Sequence, residues 1–455
     1  MNNKKVHKSN QNEHPAPAAV APIEPLRNPA GLPMQLRATQ PDREARAFLR
    51  ILNLPPRPSG VSVSSRQLQA LRQGFRAAAM ALGRKPTVPT VLEREIDGPG
   101  GKIALRVFIP VDVTCATPLG SIEPLPAFLW SFGGGFVIGE LDTADSICRN
   151  IALQAGCIVV ALQYRRAPEH LISASHDDVL ATLLWLEEHG GELGIDTTRL
   201  AVGGDSAGGN LSASMAQEYR RRGGTALKMQ VLVYPATELA DAKSLPSYAE
   251  NVDGGYFLSA EAIGIIETLL SESTDTLDLA DPRYSPLRAA DLGGLPPALV
   301  LTAGFDPIRD QGLEYAARLR AADVPVELLH YAGQFHGFLN FDSVLGGARD
   351  ALQRIGEALA SAFAGEAAAD RTIEIADEAA GNGALRHAAG ELATTSLTVW
   401  RATVGWRDLL LRLASPKAAT AARLLLTPWS MPTALVRRRI SSRINPVSAR
   451  QTWSQ

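Results

Sequence analysis

Six short apolar runs recur along the middle of the chain: Leu125 to Trp130, Cys157 to Gln163, Leu200 to Gly203, Met229 to Tyr234, Ala298 to Ala303 and Val326 to Tyr331. They are continuous rather than alternating, as strands covered on both faces should be. Helical stretches such as Asp178 to His189, Ala207 to Arg222 and Asp310 to Ala322 lie between several of them. Repeated strand-then-helix units close into a mostly parallel sheet with right-handed crossovers, which places the chain in the α/β class. Upstream, Val91 to Ile96 and Ile103 to Ile109 flank Gly98-Pro99-Gly100-Gly101 and predict an antiparallel hairpin.

The flanks differ from this middle. Residues 1–40, rich in Asn, Pro and Ala without apolar periodicity, are expected to be a disordered arm. Residues 41–90 carry helical spacing (Ala47, Leu49, Leu52; then Leu68, Leu71, Phe75, Met80) interrupted by Pro55, Pro56 and Pro58, and are expected to supply cap helices. The catalytic core is placed at 91–365, with a polar, partly helical insertion at 238–284 over the carboxyl ends of the strands, where open α/β sheets bind ligands. Residues 366–395 hold six acids and two arginines, whereas 396–455 hold ten Lys or Arg and one acid, so 366–455 reads as a helical, basic extension. No internal repeat is present.

Gly204-Asp205-Ser206-Ala207-Gly208 fits G-x-S-x-G, a turn that lifts a serine between a strand and a helix. Three fixed letters arise by chance about 0.15 times in a chain of this size, so the context has to carry the assignment. It does: apolar Leu200-Ala201-Val202 precedes the motif and a helix of small residues follows it. A serine hydroxyl needs a base, and imidazole suits that role at neutral pH. Of eight histidines, His336 alone lies in a glycine-containing loop just after the last core strand; the rest lie in peripheral segments, at a helix end, within a strand or before the serine. A carboxylate should follow a strand between serine and histidine, and Asp306 does, with Asp310 the less suitable neighbour one turn into the next helix. Gly133-Gly134-Gly135 follows a strand and can bring backbone N–H groups near a substrate oxyanion; Ala207, after the serine, supplies another amide. No GK[ST] follows the glycines, which argues against a phosphate cradle.

With these residues assembled, the chain resembles the hormone-sensitive-lipase family of bacterial esterases over roughly residues 60–365. The likeness rests on five motifs in order: Gly133 to Phe136 with the following Val137 to Asp142, Tyr164-Arg165-Arg166-Ala167-Pro168-Glu169, Gly204 to Asn210, Asp306-Pro307-Ile308-Arg309-Asp310, and His336-Gly337-Phe338. The resemblance implies an eight-stranded α/β-hydrolase core under a helical cap, acyl-ester substrates and no cofactor or metal. By motif position it makes Ser206, Asp306 and His336 catalytic and gives Gly134, Gly135 and Ala207 to the oxyanion hole. Tyr164 to Glu169 becomes a structural turn. One departure stands out: the family's loop begins His-Gly-Gly-Gly, and here Phe132 occupies the histidine position. That replacement predicts a less rigid oxyanion loop and weaker turnover.

The expected activity is hydrolysis of short- to medium-chain carboxylic esters through an acyl-enzyme. An amidase, deacetylase or acyltransferase on the same triad, or a non-catalytic small-molecule-binding relative, remains open at this stage. A formal net charge of -2 implies no nucleic-acid partner. The three cysteines, Cys115, Cys148 and Cys157, read as reduced core thiols, and the absence of an apolar leader makes the cytoplasm the expected location. In the extension, Trp400, Val404 and Leu411 beside Arg401, Arg407 and Arg412 give a basic amphipathic pattern suited to an anionic membrane surface or to a subunit contact, including one with a second copy.

Overall fold

The computed structural model describes residues 32–53, 63–112, 123–274, 276–376, 395 and 448–454. Two helices lead, α1 (Arg43–Leu52) and α2 (Ser65–Leu82). Ser64 caps α2, its hydroxyl accepting from the Gln67 N–H while the Gln67 side chain accepts from the Ser64 N–H. The predicted hairpin follows as β1 (Thr90–Gly98) and β2 (Gly101–Ile109), paired in register from Thr90 opposite Ile109 to Gly98 opposite Gly101.

The core then alternates: β3 (Leu125–Ser131), α3 (Leu141–Ala155), β4 (Ile158–Leu162), α4 (Ile172–His189), β5 (Ile195–Asp205), α5 (Ala207–Arg221) and β6 (Gln230–Val233). The insertion carries α6 (Pro246–Asn251) and α7 (Ala260–Thr274), after which come β7 (Ala298–Phe305), α8 (Arg309–Ala321), β8 (Val326–Phe335), α9 (Gly346–Phe363), β9 (Arg371–Ala376) and β10 (Ser448–Ser454). Ten strands form one sheet in the order β1-β2-β4-β3-β5-β6-β7-β8-β9-β10. From β4 across to β9 every pairing is parallel; β1, β2 and β10 join antiparallel. Burial explains the apolar runs, since all eight residues of β7 and all five of β4 are buried under helices on both faces.

Two expectations change. The extension is not wholly helical and lengthens the sheet beyond the eight strands β1 to β8 of the core: residues 371–376 add parallel to β8, and 448–454 add antiparallel to β9. The arm assigned to 1–40 is ordered at its end: Ala38 N–H donates to Ala332 O (2.9 Å), and Leu36 O accepts from the buried His330 ring (2.9 Å). Backbone pairing with the end of β8, invisible to apolar periodicity, fixes that segment. Residues 1–31 and the amphipathic pattern from Trp400 to Arg412 lie outside the described residues, as does Cys115. Cys148 and Cys157 are buried free thiols whose ionisation burial opposes. Among the described residues, no helix is long and apolar enough to cross a membrane.

Candidate active site

β5 ends at Asp205, α5 starts at Ala207, and Ser206 makes the turn between them with φ 55° and ψ −117°, a strained conformation for a residue with a side chain. The turn is held by Ser206 N–H donating to Val233 O (2.9 Å) and Ser206 O accepting from Asn210 N–H (3.0 Å). Only glycine fits at 208, where a Cβ would lie 1.9 Å from Ser131 O. The close approach of α5 to β3 therefore depends on the small-residue run that the motif supplies.

His336 follows β8, and Asp306 follows β7. The His336 Nδ1–H donates to Asp306 Oδ2 at 2.8 Å, and Nε2 accepts from Ser206 Oγ at 2.9 Å. Asp306 is fully buried, and its second oxygen accepts from the Ile308 N–H at 2.9 Å, so both carboxylate oxygens are occupied. The three side chains picked out in the sequence thus form one continuous hydrogen-bonded line. Asp310 turns away and pairs with Arg309 (2.7 Å) and the Ser247 N–H (2.8 Å). The other interior histidines are committed elsewhere: His176 donates to Ile172 O (2.9 Å), and His330 bonds Leu36 O and Thr302. Burial lowers both, His176 to about 4 and His330 to about 3, so each is neutral at pH 7.

Facing the serine is the glycine loop after β3, with Gly134 at φ 120° and Gly135 at φ 60°. Among the described residues, none accepts a hydrogen bond from the N–H groups of Gly134, Gly135 or Ala207, and all three residues line the same cavity as Ser206 and His336. That cavity has a volume of about 500 Å³. α7 roofs it with Ile263, Ile266 and Leu270, and α2 contributes Phe75. Ile266 also packs on the loop itself, since a Cβ at Gly135 would lie 2.8 Å from its Cδ1. Glu238, also on the wall, is neutralised by Arg288 at 2.6 Å.

Of the further residues important to this geometry, Asp205, Ser247 and Asn251 were not singled out in the sequence, and Tyr164 was only as part of a structural turn. Asp205, the x of the motif, accepts from the Gly133 N–H at 2.8 Å. Tyr164 donates to Phe132 O at 2.7 Å and stacks on the Phe132 ring, centroids 4.2 Å apart. From α6, Asn251 donates to Asp306 O (3.2 Å) and Ser247 to Pro307 O (2.9 Å), fastening the cap to the acid's loop. A signal existed for Asp205 alone: a carboxylate placed at a buried strand end must find donors nearby.

Residues 128–340 match a protein family described as having the alpha/beta hydrolase fold. Esterase LipI of Mycobacterium tuberculosis is 40% identical over 289 residues, 63% of this chain and 86% of the relative. The chain belongs to the hormone-sensitive-lipase-like α/β hydrolases. Carboxylesterase NlhH of the same organism is 45% identical to this α/β hydrolase over 236 residues, 51% of the chain and 72% of the relative. Among solved structures, an esterase of Pyrobaculum calidifontis superposes with a TM-score of 0.60 at 35% identity, over 69% of this chain and 97% of that one. A thermostable esterase of Pseudomonas putida gives 0.64 at 31% identity, over 72% and 98%. These matches leave between 28% and 49% of this α/β hydrolase without a counterpart. Among the described residues there is also no cluster of three or more His, Cys, Asp or Glu that could hold a metal ion.

Proposed function

We propose that the protein is a serine carboxylesterase acting on short- to medium-chain esters, with Ser206 as nucleophile, His336 as base and Asp306 as the group that orients the imidazole. The observation that carries this reading is the unbroken line from Ser206 Oγ through His336 to Asp306, opening into a cavity with three unoccupied backbone donors. Esterase names among the relatives support the ester as the bond cleaved.

Ser206 Oγ attacks the ester carbonyl carbon while His336 Nε2 takes its proton, and Asp306 stabilises the imidazolium that results. The tetrahedral oxyanion accepts from Gly134, Gly135 and Ala207, and the N-terminus of α5 adds positive potential. Collapse expels the alcohol, protonated by His336, and leaves an acyl-enzyme. Water, deprotonated by His336, then releases the acid and returns the proton to Ser206. The cavity's size and its isoleucine- and leucine-rich wall favour an aliphatic acyl chain of modest length.

Hydrolysis of p-nitrophenyl esters from acetate to palmitate tests this. Turnover should be highest among the shorter chains and should fall by on the order of 10⁶-fold in Ser206→Ala. Undiminished hydrolysis by that variant would remove the serine mechanism. Cleavage of anilides in preference to matched esters would favour an amidase instead.

A further inference from the structure

We propose that Asp205 is a positioning residue that holds the oxyanion loop in register with the nucleophile, a reading that rests on the serine-hydrolase mechanism above. Its backbone runs directly into Ser206, while its side chain reaches across to the loop after β3 and accepts from the Gly133 N–H at 2.8 Å. The contact is close: a Cβ on Gly133 would lie 2.5 Å from Asp205 Oδ2. Gly133 immediately precedes the two glycines whose amides face the cavity. One residue thus links the serine's turn to the loop that must present N–H groups to the oxyanion. The preceding side chain cannot share this task, because the Phe132 ring is apolar, buried and stacked on Tyr164. Tyr164 holds the Phe132 carbonyl, one peptide earlier. A buried carboxylate accepting an N–H is a strong, charge-assisted tether, and misplacement of catalytic donors by about 1 Å can cost a hundredfold in rate.

The charge has a second effect. Asp205 faces His336, and its carboxylate attracts the imidazolium formed during attack. The other titratable groups within its influence are Tyr164, Tyr234 and Cys148, all held neutral by burial and by Asp205 itself. The Asn340 side chain also favours the charged form of the carboxyl. Burial raises the Asp205 carboxyl to about 6, against the pull of the Gly133 N–H and His336. The fold is therefore more stable with Asp205 protonated, and it keeps the carboxylate at neutral pH despite that cost.

The test uses the full chain, with kcat and KM for p-nitrophenyl butyrate from pH 5 to 9 and thermal melts across the same range. Asp205→Ala should lose kcat about 100-fold while KM stays within about threefold. Asp205→Asn, whose amide oxygen still accepts from Gly133, should keep kcat within about tenfold of wild type, lose the inflection near pH 6, and melt above wild type by a margin that is larger at pH 8 than at pH 5. Unchanged kcat in Asp205→Ala overturns the proposal, as does a loss expressed in KM alone. If the alanine variant does not fold, an unaltered pH profile in Asp205→Asn overturns it. Ser206→Ala, run alongside, separates the two readings: wild-type activity in that variant removes the serine mechanism and this inference together, whereas an inert Ser206→Ala with indifferent Asp205 variants removes this inference alone.

Discussion

At position 132 a phenylalanine ring, 1% exposed, lies flat against Tyr164, and the backbone around it is held by the Tyr164 hydroxyl on one side and the Asp205 carboxylate on the other. The missing histidine therefore does not leave the loop unheld. Phe132→His should raise kcat by less than about threefold, because the donors already have anchors, and should lower stability by about 1–3 kcal/mol as an imidazole replaces a stacked apolar ring. Ester kinetics and a melt check both parts; a tenfold gain in kcat would show the present loop to be loose. Asp205 contributes the opposite trade. With its carboxyl raised from 3.8 to about 6 in the fold, stability is full below about pH 4 and declines by about 3 kcal/mol as pH rises through 6. Ser206, Asp306 and His336 were readable in the sequence because the G-x-S-x-G turn, the strand ends and the chain order each restrict the choice. Asp205 was only half legible: a carboxylate at a buried strand end must find donors, but its partner lies 72 residues away in the loop after β3.

Elements follow the same logic of visibility. Strands buried on both faces announce themselves, and the predicted runs for β3, β4, β6, β7 and β8 agree with the structure to within four residues at either end. β5 begins five residues before its apolar run, because Ile195 to Arg199 carries Asp, Thr and Arg near its start. α3 is obscured by its own surroundings. Buried Asp145, Ser146 and Asn150 are paired with Arg149, Arg106 and Asp342, and these polar residues break the apolar stripe that would mark a helix. In the cap, α7 has a contact no spacing rule predicts, Ile266 against Gly135. The roof and the oxyanion loop thus touch, and side-chain volume at 266 controls room above the loop. Ile266→Trp should move the preferred p-nitrophenyl ester toward acetate by at least one two-carbon step, and Ile266→Ala should move it toward longer chains. Identical chain-length profiles in both variants would place the acyl group elsewhere.

Across the whole molecule, β9 occupies the side of β8 that would otherwise end the parallel sheet, with Leu329 opposite Ile373 and Tyr331 opposite Ile375. Ile373 and Ile375 are both buried, so the added strand seals apolar surface as well as backbone donors and acceptors. Removing residues 366–455 should expose that edge, and the shortened protein should show concentration-dependent association in size-exclusion chromatography while retaining esterase activity at low concentration. A monodisperse monomer at all concentrations would mean the edge needs no cover. The proposed nucleophile, carboxylate and base stand at the ends of β5, β7 and β8, the first and the last 130 positions apart in the chain. A chain cut or stalled before His336 would carry a serine without its proposed base. On the proposed mechanism hydrolysis can begin only once the eighth strand has docked, which makes turnover a direct reporter of that docking and gives the nascent chain no reactive serine to lose to chance acylation.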